Sequence, residues 1–99
     1  MNDSRLIIEA IAQRRCVDAT YNRTNMKLAP HVLYTRHGDL FVDAVAVERD
    51  GREPSEVKLG TFKLAGLHIE EVSARTFQPL PDFDANDARY RETTPFSVA

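Results

Sequence analysis

Between residues 17 and 77 side chains alternate with a period of two in a series of short runs, weakly in the last of them, and a chain with that period builds strands, not a helical bundle. In the first run Val17, Ala19 and Tyr21 alternate with Asp18, Thr20 and Asn22. The second, residues 26–36, contains Pro30, which has no N–H to give to a ladder and so predicts an edge position or a bulge. His37-Gly38-Asp39 supplies a turn. Residues 40–47 then place Leu40, Val42, Ala44 and Ala46 on one side and Phe41, Asp43, Val45 and Val47 on the other, so both faces of this strand are largely apolar. Asp50-Gly51 and Pro54-Ser55 mark a loop, after which Val57, Leu59, Thr61 and Lys63 alternate with Lys58, Gly60, Phe62 and Leu64. Ala65-Gly66 makes a short break before a last strand over residues 68–77.

One helix precedes the strands. Over residues 3–15, Leu6, Ile7, Ala10 and Ile11 recur at helical spacing, with Arg5, Glu9, Gln13 and Arg14 mostly on the other side. Asn2, Asp3 or Ser4 can cap its first turn, and Arg14 and Arg15 suit the negative end of its dipole. Turns of only a few residues favour antiparallel neighbours, so the expected fold is mainly β: a small closed or nearly closed five-stranded barrel with the helix capping one open end. The period stops at Pro79. Residues 80–99 hold two prolines, four acids and two arginines without a sustained repeat and read as a flexible, loosely attached tail, which leaves residues 1–79 as the domain.

Charge and cysteine content narrow the function classes. The net charge of 99 residues is −2, and residues 1–79 are neutral, with 11 basic and 11 acidic side chains, so bulk attraction to phosphate cannot drive nucleic-acid affinity. Any anion site must be local. The single cysteine, Cys16, excludes an intramolecular disulfide. The first 15 residues, with three arginines and two acids, do not read as a signal peptide, and no run approaches the roughly 18 apolar residues of a membrane span. A cytoplasmic location is expected.

The order of elements and several landmark residues resemble the WYL domain, a barrel of the SH3-like or Sm-like kind that follows a DNA-binding winged helix in bacterial transcription regulators. The entry IIEAIAQRRCVDATY, ending at Tyr21, matches that family's apolar helix, basic residues and strand tyrosine. Pro30, Val32 and Leu33 match its proline and apolar pair, and Phe62, Lys63 and Leu64 its aromatic-basic-leucine segment, while Phe77 closes the last strand. The name-giving run falls on Leu40, Phe41 and Val42, which keep bulk and lose the tryptophan and the tyrosine hydroxyl; Ala65, Gly66 and Leu67 stand where acid, arginine and isoleucine are usual. The resemblance implies a five-stranded SH3-like or Sm-like barrel that senses a ligand or binds nucleic acid. A single helix before the first strand leaves no room for a helix-turn-helix, so direct promoter reading by this chain is not expected.

Residues able to form a local anion or nucleotide site are Tyr21, Arg23, His31, Arg36, Lys58 and Lys63, with His68 on the last strand. Arginine offers a planar fork to phosphate, lysine a point charge, and aromatic faces can stack a base. The same basic residues also read as solvated surface charges, Tyr21 as a core tyrosine, His31 and His37 as strand and turn residues, and Cys16 as a small buried hydrophobe. Three histidines without CxxC or HxxxH spacing give no metal signature. No GxSxG, P-loop or HExxH occurs, and Glu70 and Glu71, adjacent in a strand, point to opposite faces. The expectation is a non-enzyme without cofactor or metal: a ligand-sensing, nucleotide-binding or single-stranded nucleic-acid-binding regulatory module. The alternative is a protein-interaction module, homodimeric or bound to another protein, that no longer takes a ligand.

Overall fold

The computed structural model describes residues 3–90 and 96–98. The proposed cap at Asn2, and the parts of the expected tail at 91–95 and 99, lie outside the described residues. Helix α1 (Asp3–Gln13) buries Ile7, Ala10 and Ile11 and stops where Arg14 takes a left-handed conformation, φ 53°, its N–H bonded to the Ile11 carbonyl at 3.2 Å. The five expected strands follow as β1 (Arg15–Tyr21), β2 (Thr24–Arg36), β3 (Asp39–Arg49), β4 (Leu59–Lys63) and β5 (Leu67–Thr76), with a sixth, β6 (Phe96–Ser97), near the end.

Two-residue turns join β1 to β2 and β2 to β3, and a third closes the Arg49–Arg52 bridge at the start of the loop to β4. Asn22 and Arg23 (φ 50° and 64°), His37 and Gly38 (52° and 84°), and Asp50 and Gly51 (50° and 81°) all have positive φ at both central positions. That is the type I′ geometry whose twist matches the right-handed twist of flanking strands. Pairing is antiparallel throughout, in the order β4-β3-β2-β1-β5, with β6 added to β2 at Val32 and Leu33 beyond the start of β1. Pro30 sits in the central strand, not at an edge. The β2–β3 register slips between Pro30 and Val32, so His31 is the extra residue of a bulge, as a proline there predicts.

Of the expected closed or nearly closed barrel, the mainly β antiparallel sheet forms and the closure does not. The sheet is open, and no ladder joins β4 to β5 among the described residues. It is nevertheless strongly curled. In a flat sheet the two margins of a five-strand order would lie about 19 Å apart, yet β4 and β5 are joined by one 3-10 turn, Leu64–Gly66, and four such residue steps cannot exceed about 14 Å. Accordingly the Tyr21 ring of β1 meets Phe62 of β4 edge to face at 5.2 Å. A methyl at Gly66 would press to 3.0 Å of the Tyr21 ring, so the turn tolerates little more than a hydrogen there. Closing the margins by hydrogen bonds needs about 4.8 Å between strands, which no sequence period encodes.

The concave face holds the main core: Val17, Ala19, Leu28, Val42, Ala44, Phe62, Leu67 and Ile69 pack on Ile7, Ala10 and Ile11 of α1. The convex face is covered too. Residues 28–34 of β2 are all buried, which requires a second layer. That layer is Phe77 together with the supposed tail. Phe77 and Leu80 cover Cys16, Ala29 and Val45, while Phe83 and Tyr90 cover Val32 and Tyr34. Tyr90 is 3% exposed and Val98 6%, so the reading of a loosely attached tail is corrected for its described residues: those up to Tyr90 form a strap across the convex face, while β6 joins the sheet and Val98 packs in the main core with α1. The strap lacks a period because it is not a regular element, and its apolar residues are spaced by chain path alone.

Candidate functional site

Two polar side chains are buried on the convex face, Asp43 at 0% exposure and His31 at 1%. Asp43 projects from the middle of β3, between the core-facing Val42 and Ala44. A lone carboxylate in that position is tolerable only if its oxygens are satisfied. Oδ1 accepts hydrogen bonds from the Tyr34 hydroxyl at 2.7 Å and the Thr61 hydroxyl at 2.9 Å; Oδ2 accepts one from the Tyr90 hydroxyl at 2.6 Å. Arg89 Nη1 lies 3.7 Å from Oδ2, a half-exposed guanidinium at the mouth of a buried site. Burial, then the bond to Asp43, pushes the Tyr34 hydroxyl up to about 12 and the Tyr90 hydroxyl upward as well, so both are protonated donors at ordinary pH.

His31 is held in one tautomer. Nδ1–H donates to the Ala29 carbonyl at 2.9 Å, and Nε2 accepts the backbone N–H of Leu80 at 3.0 Å. A carbonyl can only accept and an amide N–H only donate, so the ring is neutral with its proton on Nδ1. Burial lowers its pKa, with the Ala29 bond and the Asp43 charge opposing. Phe77 stacks on the ring at 5.3 Å and Phe83 meets it edge-on at 5.2 Å. The His31 carbonyl accepts the Val98 N–H at 2.8 Å.

The six expected site residues do not form one constellation. Arg23 is exposed in the β1–β2 turn, and Arg36 is exposed at the far end of the 13-residue β2. Tyr21 is half buried against Phe62. Lys63 is ion-paired with Asp39 at 3.5 Å and borders a cleft of about 470 Å³ with Asp3, Ser4, Gly38 and Leu64. Lys58, exposed before β4, borders two other clefts, one of about 330 Å³ between β4 and the strap that Asp82, Asp87, Arg89 and Tyr90 also line. Tyr21, Arg23, His31 and Arg36 line none of these clefts. His31 is a core residue bonded to the strap, with no surface to offer an anion. Sequence reasoning singled out neither Asp43 nor its donors Tyr34, Thr61 and Tyr90, although one acid inside the run FVDAVAV was a visible irregularity.

Among the described residues no group of three or more His, Cys, Asp or Glu side chains gathers to hold a metal ion, and no helix is long and apolar enough to cross a membrane. Comparison with protein-family models, with curated proteins and with solved structures finds no match for this chain.

Proposed function

We propose that this chain is a self-associating interaction module that joins copies through the two free margins of its open sheet. One observation carries the reading: the margins are unpaired and of opposite charge. β4 runs in uninterrupted register with β3 on one side and has no ladder partner on the other among the described residues, and Lys58 and Lys63 lie at its two ends. β5, at the opposite margin, exposes Glu70 and Glu71. Antiparallel addition of the β5 margin of one copy to β4 of the next satisfies backbone groups that edge strands otherwise leave to water, and sets lysine against glutamate. Such a head-to-tail contact builds rings or filaments, not an isolated pair.

Light scattering over a range of concentration and salt tests this. Association should weaken with ionic strength. It should fall in Lys58→Glu/Lys63→Glu and in Glu70→Lys/Glu71→Lys, and return when the two variants are mixed. A chain that stays monomeric at millimolar concentration and low salt refutes it.

The strand order, the leading helix and the three-residue tether between the margins support, as part of the same proposal, a divergent SH3-like or Sm-like barrel of WYL kinship in which β4 and β5 have drawn apart. A second reading is a regulatory module that binds a nucleotide or short single-stranded nucleic acid in the cleft beside the first turn of α1, whose described lining sets Lys63 among the acids Asp3 and Asp39. Fluorescence anisotropy with short oligonucleotides and nucleotides, repeated on Lys63→Ala, separates the two: saturable binding by a monomer supports the second reading and removes the first.

A further inference from the structure

One residue anchors the strap at two places. The Nε2 lone pair of His31 receives the Leu80 N–H, and its ring lies between Phe77 and Phe83; its carbonyl receives the N–H of Val98, which follows β6 and packs in the core with α1. The first of these bonds exists in one protonation state only. A proton added to His31 goes to Nε2, because Nδ1 already carries one; Nε2–H then faces Leu80 N–H, donor against donor, and the cation lies between two aromatic rings with no carboxylate bonded to it.

We propose that His31 is a proton-operated latch: acidification releases the strap from the convex face of the sheet and uncovers Cys16, Ala29, Val32, Tyr34 and Val45.

The groups around the ring leave it little alternative. From β3, Asp43 acts on it only through space, both carboxylate oxygens being engaged by hydroxyls. From β2 and the strap, the Tyr34 and Tyr90 hydroxyls point to Asp43. From β1, Cys16 is a buried thiol that burial keeps protonated. Asp82 and Asp84 flank Phe83 and are exposed. Once the strap lifts, the imidazolium reaches water and regains the ordinary histidine affinity for a proton, near pH 6.5. The folded ring has a lowered pKa, so the open form binds more protons than the closed one below about pH 6.5. The open fraction then rises by up to tenfold for each pH unit until the closed-state pKa is passed. The latch does not depend on what the free margins bind.

The test uses the full chain. Hydrogen exchange of backbone amides, read by NMR and corrected for the intrinsic rate, is followed from pH 7.5 to 4.5, together with reaction of Cys16 with 4,4′-dithiodipyridine relative to a free thiol. Protection of the Leu80 amide is expected to fall by up to about tenfold per pH unit below about 6.5, with Cys16 reactivity rising in step while amides of Leu28 and Val42 stay protected. His31→Gln, which keeps an acceptor for Leu80 and cannot titrate, should abolish the pH dependence. If that variant does not fold, the imidazole titration of the natural chain decides: His31 must take up its proton as Leu80 loses protection. Constant protection across the range, loss of core and strap protection together, or the same acid response in His31→Gln overturns the latch.

Discussion

Replacing Tyr90 with Phe removes one oxygen and tests whether the strap is part of the folded domain. The ring keeps its place against Tyr34, whose centroid is 4.8 Å away, so the loss is confined to a 2.6 Å hydroxyl bond to Asp43 Oδ2. A bond to a buried charged acceptor contributes about 1.5–3 kcal/mol. Arg89 Nη1, 3.7 Å from the same oxygen and on a half-exposed side chain, can move in and offset a small part of this. The expected cost is about 2 kcal/mol, which for a chain of this length lowers Tm by roughly 8–16 °C. Urea denaturation followed by circular dichroism should show a lower midpoint at unchanged slope. Tyr34→Phe should cost less, about 1 kcal/mol, because Oδ1 keeps the Thr61 bond at 2.9 Å. In a double-mutant cycle with Asp43→Asn, the coupling between positions 43 and 90 should reach about 1 kcal/mol. A Tyr90→Phe cost under about 0.5 kcal/mol together with zero coupling would mean that the strap is not docked on Asp43 in solution.

Deleting residues 82–99 takes Phe83 and Tyr90 from the convex face and Val98 from the core beneath α1, and should lower stability by about 3 kcal/mol, the Asp43 bond plus net apolar burial; the β-sheet dichroism persists, and an unchanged Tm contradicts the packed strap. Phe62→Ala, which empties the place of a ring 7% exposed between Tyr21 and the core, should cost about 3–5 kcal/mol, and a loss below about 1 kcal/mol puts that ring outside the core. Arg23→Gly should stabilise by about 0.5 kcal/mol, since relief of a left-handed arginine (φ 64°) exceeds the entropy that glycine adds to the unfolded chain. A fall in Tm for that variant refutes the turn assignment.

The strands were legible because period two and turn chemistry act within a few residues. His37-Gly38 and Asp50-Gly51 carry the positive φ that type I′ turns require, and Pro30 marked the bulge beside His31. The open margin between β4 and β5 was not legible, since whether two edges approach to hydrogen-bonding distance depends on how far the whole sheet coils. The strap left its mark on its partner strands instead of on itself. Phe41, Val45 and Val47 on the second face of β3, and the run LAPHVLY in β2, already called for a cover on both faces. No residue of 80–99 repeats in a way that identifies it as that cover. The site failed for a related reason. Lysine and arginine were weighed by what they can bind, whereas the polar groups the fold builds around, Asp43 and His31, stand out by where they are buried.

Both buried polar groups of the convex face take a hydrogen bond from the same segment, so docking of the strap is an all-or-nothing match of two positions: the Leu80 amide at His31 and the Tyr90 hydroxyl at Asp43. They differ in what opening leaves behind. Asp43 keeps Tyr34 and Thr61 as donors and gains water in place of Tyr90, so its loss on opening is partial. His31 loses its only donor at Nε2, and its affinity for a proton recovers as the ring becomes hydrated. A strap held by about 3 kcal/mol at neutral pH is open in under about one molecule in a hundred. At that population each tenfold rise from acid is large enough to register in Leu80 while the concave core beneath α1 stays closed. Asp43 therefore sets how firmly the strap is held, and His31 sets the pH at which it lets go.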